Sequence, residues 1–244
     1  RMASGYSNKV PAQSLVDSYY CKDGLPINES SLYNAATPFK NRDLRLEATV
    51  VVPGSTFQGY QFETHPDSLE CWDYNVTPAV RRNNQDVTNP YATFSGYCWR
   101  KYTDEEQTFR LKSELNIILI RYAEILLMYA EAQVNADGTP NQQSIDIVNQ
   151  IRGRAGLAPF KQTNASAFLE EVWDQRYFDL CYENKMWFDM LRTRKIRDDK
   201  SGEYVDFIGY KTNWGKVYTE TQLLFPIPLS ERQANPNLTQ NQGY

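Results

Sequence analysis

The distribution of hydrophobic and polar positions singles out one stretch near the middle of the chain. Residues 116–136, NIILIRYAEILLMYAEAQVNA, are apolar on nearly every face of a 3.6-residue helix. The polar side chains fall on a single stripe made of Arg121, Glu124, Glu131 and Asn135. This pattern predicts a helix that neighbours surround on most sides, with Arg121 and Glu124 paired at i,i+3 spacing. The charges argue against a membrane span.

A second helix is predicted directly after it. The turn sequence at 137–140, DGTP, is short, Asn141 is a suitable N-cap, and Gly156 is a suitable stop. Apolar residues recur between them at helical spacing: Ile145, Val148, Ile151 and Ala155. Two helices joined so closely form an antiparallel hairpin. We expect Arg152 and Arg154 to reach the acidic stripe of the first helix.

A third helix is expected after Asn164 or Ser166, either of which can cap it. Its predicted buried stripe consists of Leu169, Trp173, Tyr177 and Leu180. Asn184 is a plausible break, and residues 185–194 resume as a short helix in which the spacing places Trp187 in the core.

The first 110 residues show little helical periodicity. A short helix is predicted at 14–20, and the alternation that begins at Leu44 predicts a strand ended by Pro53-Gly54. The charged residues that precede and enter this strand, Arg42, Asp43 and Arg45, are interpreted as a structural ion-pair cluster.

These patterns predict a mainly α fold with long irregular loops and a few short strands. We divide the chain into three parts: a loop-rich segment with candidate ligand-binding loops (1–110), a helical core with a hairpin repeat (111–195), and an extended C-terminal segment that docks on the helices (196–244).

Aromatic residues are the main candidate chemistry. They make up 14% of the chain, and many lie in polar, irregular stretches between 54 and 110, where core packing explains them less easily. A sugar ring needs a flat aromatic surface for its apolar face and directed polar groups for its hydroxyls. The candidate ligand-binding residues are Trp72, Tyr74, Asn75, Trp99 and Arg100. For each aromatic ring among them, packing is the alternative role.

Charge and cysteine content exclude several classes of function. A net charge of −4 does not suit nucleic-acid binding. The four cysteines are widely spaced and there is one histidine, so we expect no metal site and no cofactor. A disulfide between Cys71 and Cys98 stays open. Because no nucleophile motif or phosphate loop is present, we expect no enzyme, including a glycoside hydrolase with paired carboxylates.

Several blocks, in order, resemble one known family. RYAEILLMYAEA at 121–132, VNQIRGRAGL at 148–157 and LLFPIPLSERQANPNLTQNQGY at 223–244 are similar to signatures of the SusD/RagB family, glycan-binding lipoproteins of the Bacteroidetes outer membrane. The segment QRYFDLCYENKMWFDMLR departs from the family pattern at Gln175, Asp179, Asn184 and Met186. The C-terminal block is the most specific of these matches.

The resemblance implies a helical-hairpin (TPR-like) scaffold that binds an oligosaccharide without catalysis. It further implies delivery of the glycan to a SusC-like TonB-dependent transporter, and a cell-surface location through a lipid-anchored N-terminal cysteine that is not in this chain. Peptide binding, as in RagB-like relatives, and a generic helical-repeat interaction module are the alternatives. Family members are about twice as long, so the missing N-terminal half of the same protein is an expected partner. Residues 1–244 alone are expected to be aggregation-prone or molten.

Overall fold

The computed structural model describes residues 1–3, 5–105 and 113–244. They form two compact units, 1–183 and 184–244. The helices are α1 Gln13–Ser18, α2 Leu44–Thr49, α3 Gln85–Thr88, α4 Tyr122–Asp137, α5 Gln142–Arg154, α6 Ala165–Asp179, α7 Met186–Thr193 and α8 Leu229–Ala234. The strands are β1 Val50–Val51, β2 Thr56–Phe57, β3 Tyr60–Gln61, β4 Glu70–Asp73, β5 Val80–Asn83, β6 Cys98–Trp99, β7 Lys195–Arg197 and β8 Tyr204–Asp206. The mainly α fold is confirmed, and the three-part division remains a prediction.

The strands form three small antiparallel sheets. β1 pairs with β6, β7 pairs with β8, and the larger sheet has the order β2-β3-β4-β5. Along the described ranges, none of the helices has both the length and the apolar character that crossing a bilayer requires.

The predicted helical hairpin is confirmed as α4 and α5, and α6 packs against both. Their shared core contains Leu127 and Val134 of α4, Val148 of α5, and Phe168 and Val172 of α6. Asn141 caps α5 by accepting a hydrogen bond from the Ser144 N–H at 2.9 Å.

Helix α4 begins six residues later than the sequence predicts. Arg121 is the N-cap, with extended backbone, and residues 116–120 are not helical. This segment contains Ile117, Ile118 and Ile120, whose β-branched side chains lose χ1 freedom in a helix.

The prediction that neighbours surround α4 on most sides is wrong for this chain. Only one face of α4 is buried, and it consists of Ala123, Glu124, Leu127, Ala130, Glu131 and Val134. The polar stripe therefore lies partly on the buried side, where the Trp173 indole N–H donates to Glu131 at 3.1 Å. Tyr122, Ile125 and Met128 are exposed.

The arginines of α5 find their carboxylates on α6 rather than on α4. Arg152 pairs with the buried Glu171, and Arg154 pairs with Asp179. The expectation that they reach the acidic stripe of the first helix is wrong, because α6 packs on the same side of the hairpin. Arg121 also reaches Asp179 and Glu183.

The strand predicted from Leu44 onward is a helix, α2, up to Thr49, and only Val50–Val51 is a strand. The Asp43 carboxylate accepts from the Arg45 N–H at 2.8 Å, which caps the helix, and also pairs with the Arg45 guanidinium. The alternation of apolar residues was misleading because this local cap decides the backbone.

The predicted N-cap of α6 is confirmed, whereas its predicted buried stripe is out of register. Asn164 accepts from the Ser166 and Ala167 N–H groups. Leu180 of the predicted stripe is buried, and its other three residues are half-buried. The apolar residues of α6 that are buried instead are Phe168, Val172 and Phe178. Asn184 has a left-handed backbone at φ 60°, as expected of a break.

The second unit, 184–244, contains its own aromatic cluster. The half-buried Trp187 lies edge-on to Phe207, which stacks on Tyr218 at 4.6 Å. After the extended prolines and α8, the tail is held by side chains: Gln240 donates to the Ile227 carbonyl, and the Tyr244 hydroxyl donates to the Leu224 carbonyl.

The exposed apolar face of α4 leads to the first prediction. We expect residues 1–244 to self-associate when expressed alone, because contiguous exposed apolar surface favours association. Ile125→Lys with Met128→Lys should restore the monomer, as measured by size exclusion with light scattering. Ala132→Lys with Ala136→Lys adds the same charge to exposed small residues of the same helix, and should leave self-association in place. A monomeric wild-type chain would contradict the prediction.

The buried Glu171 leads to the second prediction. Burial raises its pKa to about 7 from 4.5, although the Arg152 guanidinium opposes this shift. The folded state therefore holds the proton more tightly than the unfolded state. The contribution of Glu171 to stability is complete below pH 4.5 and is lost as the pH rises through 7.

Denaturant titrations from pH 4.5 to 7.5 check this sign. The free energy of unfolding of the wild type, relative to Glu171→Gln, should fall with a slope of up to about 1.4 kcal/mol per pH unit. Parallel curves for the two proteins would show that Glu171 does not titrate in this range.

Candidate functional site

The four-stranded sheet positions the aromatic candidates. In β4 the side chains alternate, so Glu70 and Trp72 are exposed while Cys71 and Asp73 are buried. Trp72 is 38% exposed, and Tyr74, just beyond the strand, is 47% exposed. Alternation in a two-faced sheet thus presents one ring to solvent and anchors the strand through its neighbours. Cys71 and Cys98 are free thiols, which answers the question left open by the sequence.

Asp73 fixes the chain where β4 ends. Its carboxylate accepts from Arg82 Nε at 2.5 Å and from the Asn75 N–H at 2.9 Å. These hydrogen bonds, with that from Arg82 the strongest, lower the pKa of Asp73, so the carboxylate stays ionised at neutral pH. The positions of Tyr74 and Asn75 are therefore set by a buried charge.

Asn75 acts as a brace between β4 and the β2–β3 turn. Its side-chain amide donates to the Gln58 carbonyl at 3.2 Å, and the Tyr74 N–H donates to the Gly59 carbonyl at 2.8 Å. Gly59 has φ +75°, and a Cβ there would lie 2.1 Å from the Asn75 side chain. Only glycine fits this close approach.

A polar groove of about 520 Å³ lies next to Trp72, which contacts two of the lining residues, Gln61 and Arg81. It is lined by Gln61, Glu63, Asp67, Leu69, Glu70 and Arg81, among others. Arg81 lies opposite Trp72 across the β4–β5 pair, and its guanidinium carbon is 5.2 Å from the centre of the indole. Sequence reasoning missed the groove residues, because nothing in the pattern of residues 61–70 indicates a shared face.

Trp99 and Arg100 lie outside the four-stranded sheet, in and directly after β6, which pairs with β1. Trp99, in β6, stacks on Tyr182 with centroids 4.1 Å apart and planes 7° from parallel. Arg100 donates to the Thr56 carbonyl at 2.9 Å and pairs with Glu105. Its guanidinium and the Asn75 amide thus contact the same β2–β3 hairpin at different residues.

The structure therefore brings Trp72, Tyr74 and Asn75 together, and gives Trp99 and Arg100 internal contacts. Trp72 and Tyr74 retain accessible ring surface, and Trp72 contacts Gln61 and Arg81, which line the groove. This arrangement can stack on a planar or ring-shaped ligand and offer hydrogen-bond acceptors to it.

The sequence and this fold match known proteins. The SusD family model matches residues 2–244. The chain belongs to the SusD family. The resemblance found in the sequence motifs is thereby confirmed.

Individual SusD-family relatives agree with this assignment. SusD-like protein P38 of Formosa agariphila is 29% identical over 196 residues, which cover 70% of this chain and 36% of that protein. A SusD superfamily protein from Parabacteroides distasonis, known from a crystal structure, is 55% identical in sequence. Its TM-score is 0.69, and the match covers 99% of this chain and 45% of the other. The crystal structure of a SusD-like carbohydrate binding protein from Bacteroides fragilis is of a chain 25% identical to this one. Its TM-score is 0.69, and the match covers 94% of this chain and 48% of the other. The chain thus spans less than half the length of these relatives.

The contrast between the two tryptophans yields the third prediction. Trp99→Ala removes a stacked, half-buried ring and should lower the free energy of unfolding by about 2–4 kcal/mol. Trp72→Ala removes an exposed ring and should change it by less than about 1 kcal/mol. Urea unfolding measures both variants side by side, and equal losses would refute the distinction between a packing ring and a free ring.

Proposed function

We propose that this chain is part of a SusD-family protein that captures oligosaccharides at the cell surface without turning them over. The observation that carries the proposal is the exposed pair Trp72 and Tyr74, on a sheet whose geometry a buried carboxylate fixes, with Trp72 in contact with groove residues Gln61 and Arg81. The family membership and the solved relative described as a SusD-like carbohydrate binding protein support it.

Trp72 supplies the main stacking surface in this proposal. One side of its ring faces Arg81, and the accessible remainder can pack against the apolar face of a sugar. Tyr74 adds a second ring, while Asn75 holds the turn in place through the Gln58 carbonyl. Trp99 and Arg100 support the sheet instead of touching the ligand.

The family context extends the proposal to location and partners. We place the protein at the outer membrane as a lipid-anchored, surface-exposed component that passes its ligand to a SusC-like TonB-dependent transporter. The remainder of the longer protein contributes further groups to the same ligand site.

Peptide capture is a second candidate, favoured by one observation. β5 is an edge strand of the four-stranded sheet and its residues are exposed, so an extended peptide can pair with it. Arg81 and Arg82 on this strand also protect the edge from unwanted pairing, which weakens this alternative.

Calorimetry with oligosaccharides and peptides tests the proposal and supplies the fourth prediction. Trp72→Ala and Tyr74→Ala should each weaken oligosaccharide binding by about 1–3 kcal/mol, by analogy with aromatic stacking on bases. Trp214→Ala removes a tryptophan of the second unit that is 77% exposed, more than Trp72 at 38%; it is the control and should bind like the wild type.

Three results of this experiment contradict the proposal. Unchanged affinity in both Trp72→Ala and Tyr74→Ala would place the ligand elsewhere. Release of monosaccharide during the titration would indicate a hydrolase. Binding of peptides alone would favour the second candidate.

A further inference from the structure

The charges that line the groove beside Trp72 define a selectivity that the family assignment does not supply. Glu63, Asp67 and Glu70 contribute three carboxylates, and Arg81 contributes one guanidinium. At neutral pH these four side chains therefore carry a formal charge of −2.

The single guanidinium already contacts Glu70 and Trp72. Arg81 Nε lies 3.4 Å from the Glu70 carboxylate, its Nη2 donates to the Glu70 carbonyl at 3.3 Å, and its guanidinium carbon lies 5.2 Å from the centre of the Trp72 ring. An anionic ligand therefore meets a positive charge that Glu70 already partly offsets, while Glu63 and Asp67 repel it.

The other lining groups suit an uncharged, hydroxylated ligand. Carboxylates accept hydrogen bonds from hydroxyls, the Gln61 amide both donates and accepts, and the exposed Leu69 offers apolar surface. The Gln61 side-chain oxygen already accepts from the Trp72 N–H at 3.3 Å, which ties the groove to the stacking ring.

We infer that the groove selects neutral hexose oligosaccharides and rejects acidic ones such as uronates, with Glu63 and Asp67 as the residues that determine this specificity. The inference rests on the proposed function, since it assigns the ligand class of the same site. Both carboxylates lie near the surface, so salt screens their effect. We expect acidic ligands to bind roughly three- to tenfold more weakly at 0.15 M salt, with a larger ratio at lower salt.

The test compares matched ligands. Maltohexaose, cellohexaose, laminarihexaose and mannohexaose are each titrated into the purified protein together with the same oligosaccharide oxidised to carboxylate at C6. The neutral member should bind more tightly, and lower salt should widen the ratio.

Two variants carry equal changes of net charge. Glu63→Gln with Asp67→Asn brings the groove to a formal charge of zero and should abolish the preference for the neutral member. Glu47→Gln with Glu170→Gln neutralises two exposed carboxylates elsewhere in the first unit and should preserve it. Thermal unfolding of all three proteins checks that folding is unaffected.

The outcomes separate this inference from the proposed function. If the oxidised oligosaccharides bind as tightly as the neutral ones, or more tightly, the charge selectivity is wrong while oligosaccharide capture stands. A preference that survives Glu63→Gln with Asp67→Asn also overturns it. If no member of any pair binds, or if Trp72→Ala and Tyr74→Ala both leave binding unchanged, the proposed function is wrong and the inference fails with it.

Discussion

A cluster of buried ion pairs around the C-terminal end of α6 is the constraint on which the first unit depends. Asp179, the last residue of that helix, is paired with arginines from three other places in the chain: Arg45, Arg121 and Arg154. Burial alone would raise the pKa of Asp179, but these guanidinium groups hold it below its ordinary value. Carboxylates at a helix C-terminus oppose the helix dipole, so the surrounding cations are needed to offset them.

The cluster joins elements that hydrophobic packing alone would not orient. Arg45 belongs to α2, Arg121 caps α4, and Arg154 ends α5, so one carboxylate fixes the ends of three helices relative to α6. Buried ion pairs add little net stability because desolvation is costly, but removal of one partner leaves a charge uncompensated. Their contribution here is to specify one arrangement of the helices.

The same cluster extends toward the candidate site. Glu183 pairs with both Arg121 and Lys101. The N–H groups of Arg100 and Lys101 donate to the Thr49 carbonyl, next to the β1–β6 pair. Arg100 then holds the β2 backbone at Thr56. A continuous series of contacts therefore runs from the helical scaffold to the sheet that presents Trp72.

The helical hairpin was predictable because its signals are local: a tight turn, an Asn cap, apolar spacing and a stop glycine all lie within α4, α5 and the turn between them. The residue at which α4 begins was not predictable from the sequence. The extended backbone at Arg121 accompanies contacts with Asp179 and Glu183, which lie about 60 residues away in the chain. At Leu44 a short-range cap overrode an apolar alternation that resembles a strand. The register of α6 depended on which side its neighbours occupy, which its own sequence does not encode.

For the candidate site, the sequence identified the residue types but not their roles. Trp72 and Trp99 both lie among polar residues in strands of two to four residues. Their partners differ: Trp72 lies against Arg81 of the paired strand, whereas Trp99 stacks on Tyr182, which follows α6 in the chain. Such partners are distant in the chain, so no local pattern distinguishes an accessible ring from a packed one.

Each arginine around the candidate site is paired with a carboxylate, and this pairing affects the charge that the site presents to a ligand. Arg81 is held by Glu70, Arg82 by Asp73, and Arg100 by Glu105 and a backbone carbonyl. The charge of each of these guanidinium groups is thus partly offset by a neighbouring carboxylate before a ligand arrives. The face beside the groove also offers aromatic surface and amide and carboxylate oxygens that can accept from hydroxyls. The ion pairs that stabilise this sheet therefore also reduce the net positive charge that its exposed arginines, Arg81 and Arg82, present to a ligand.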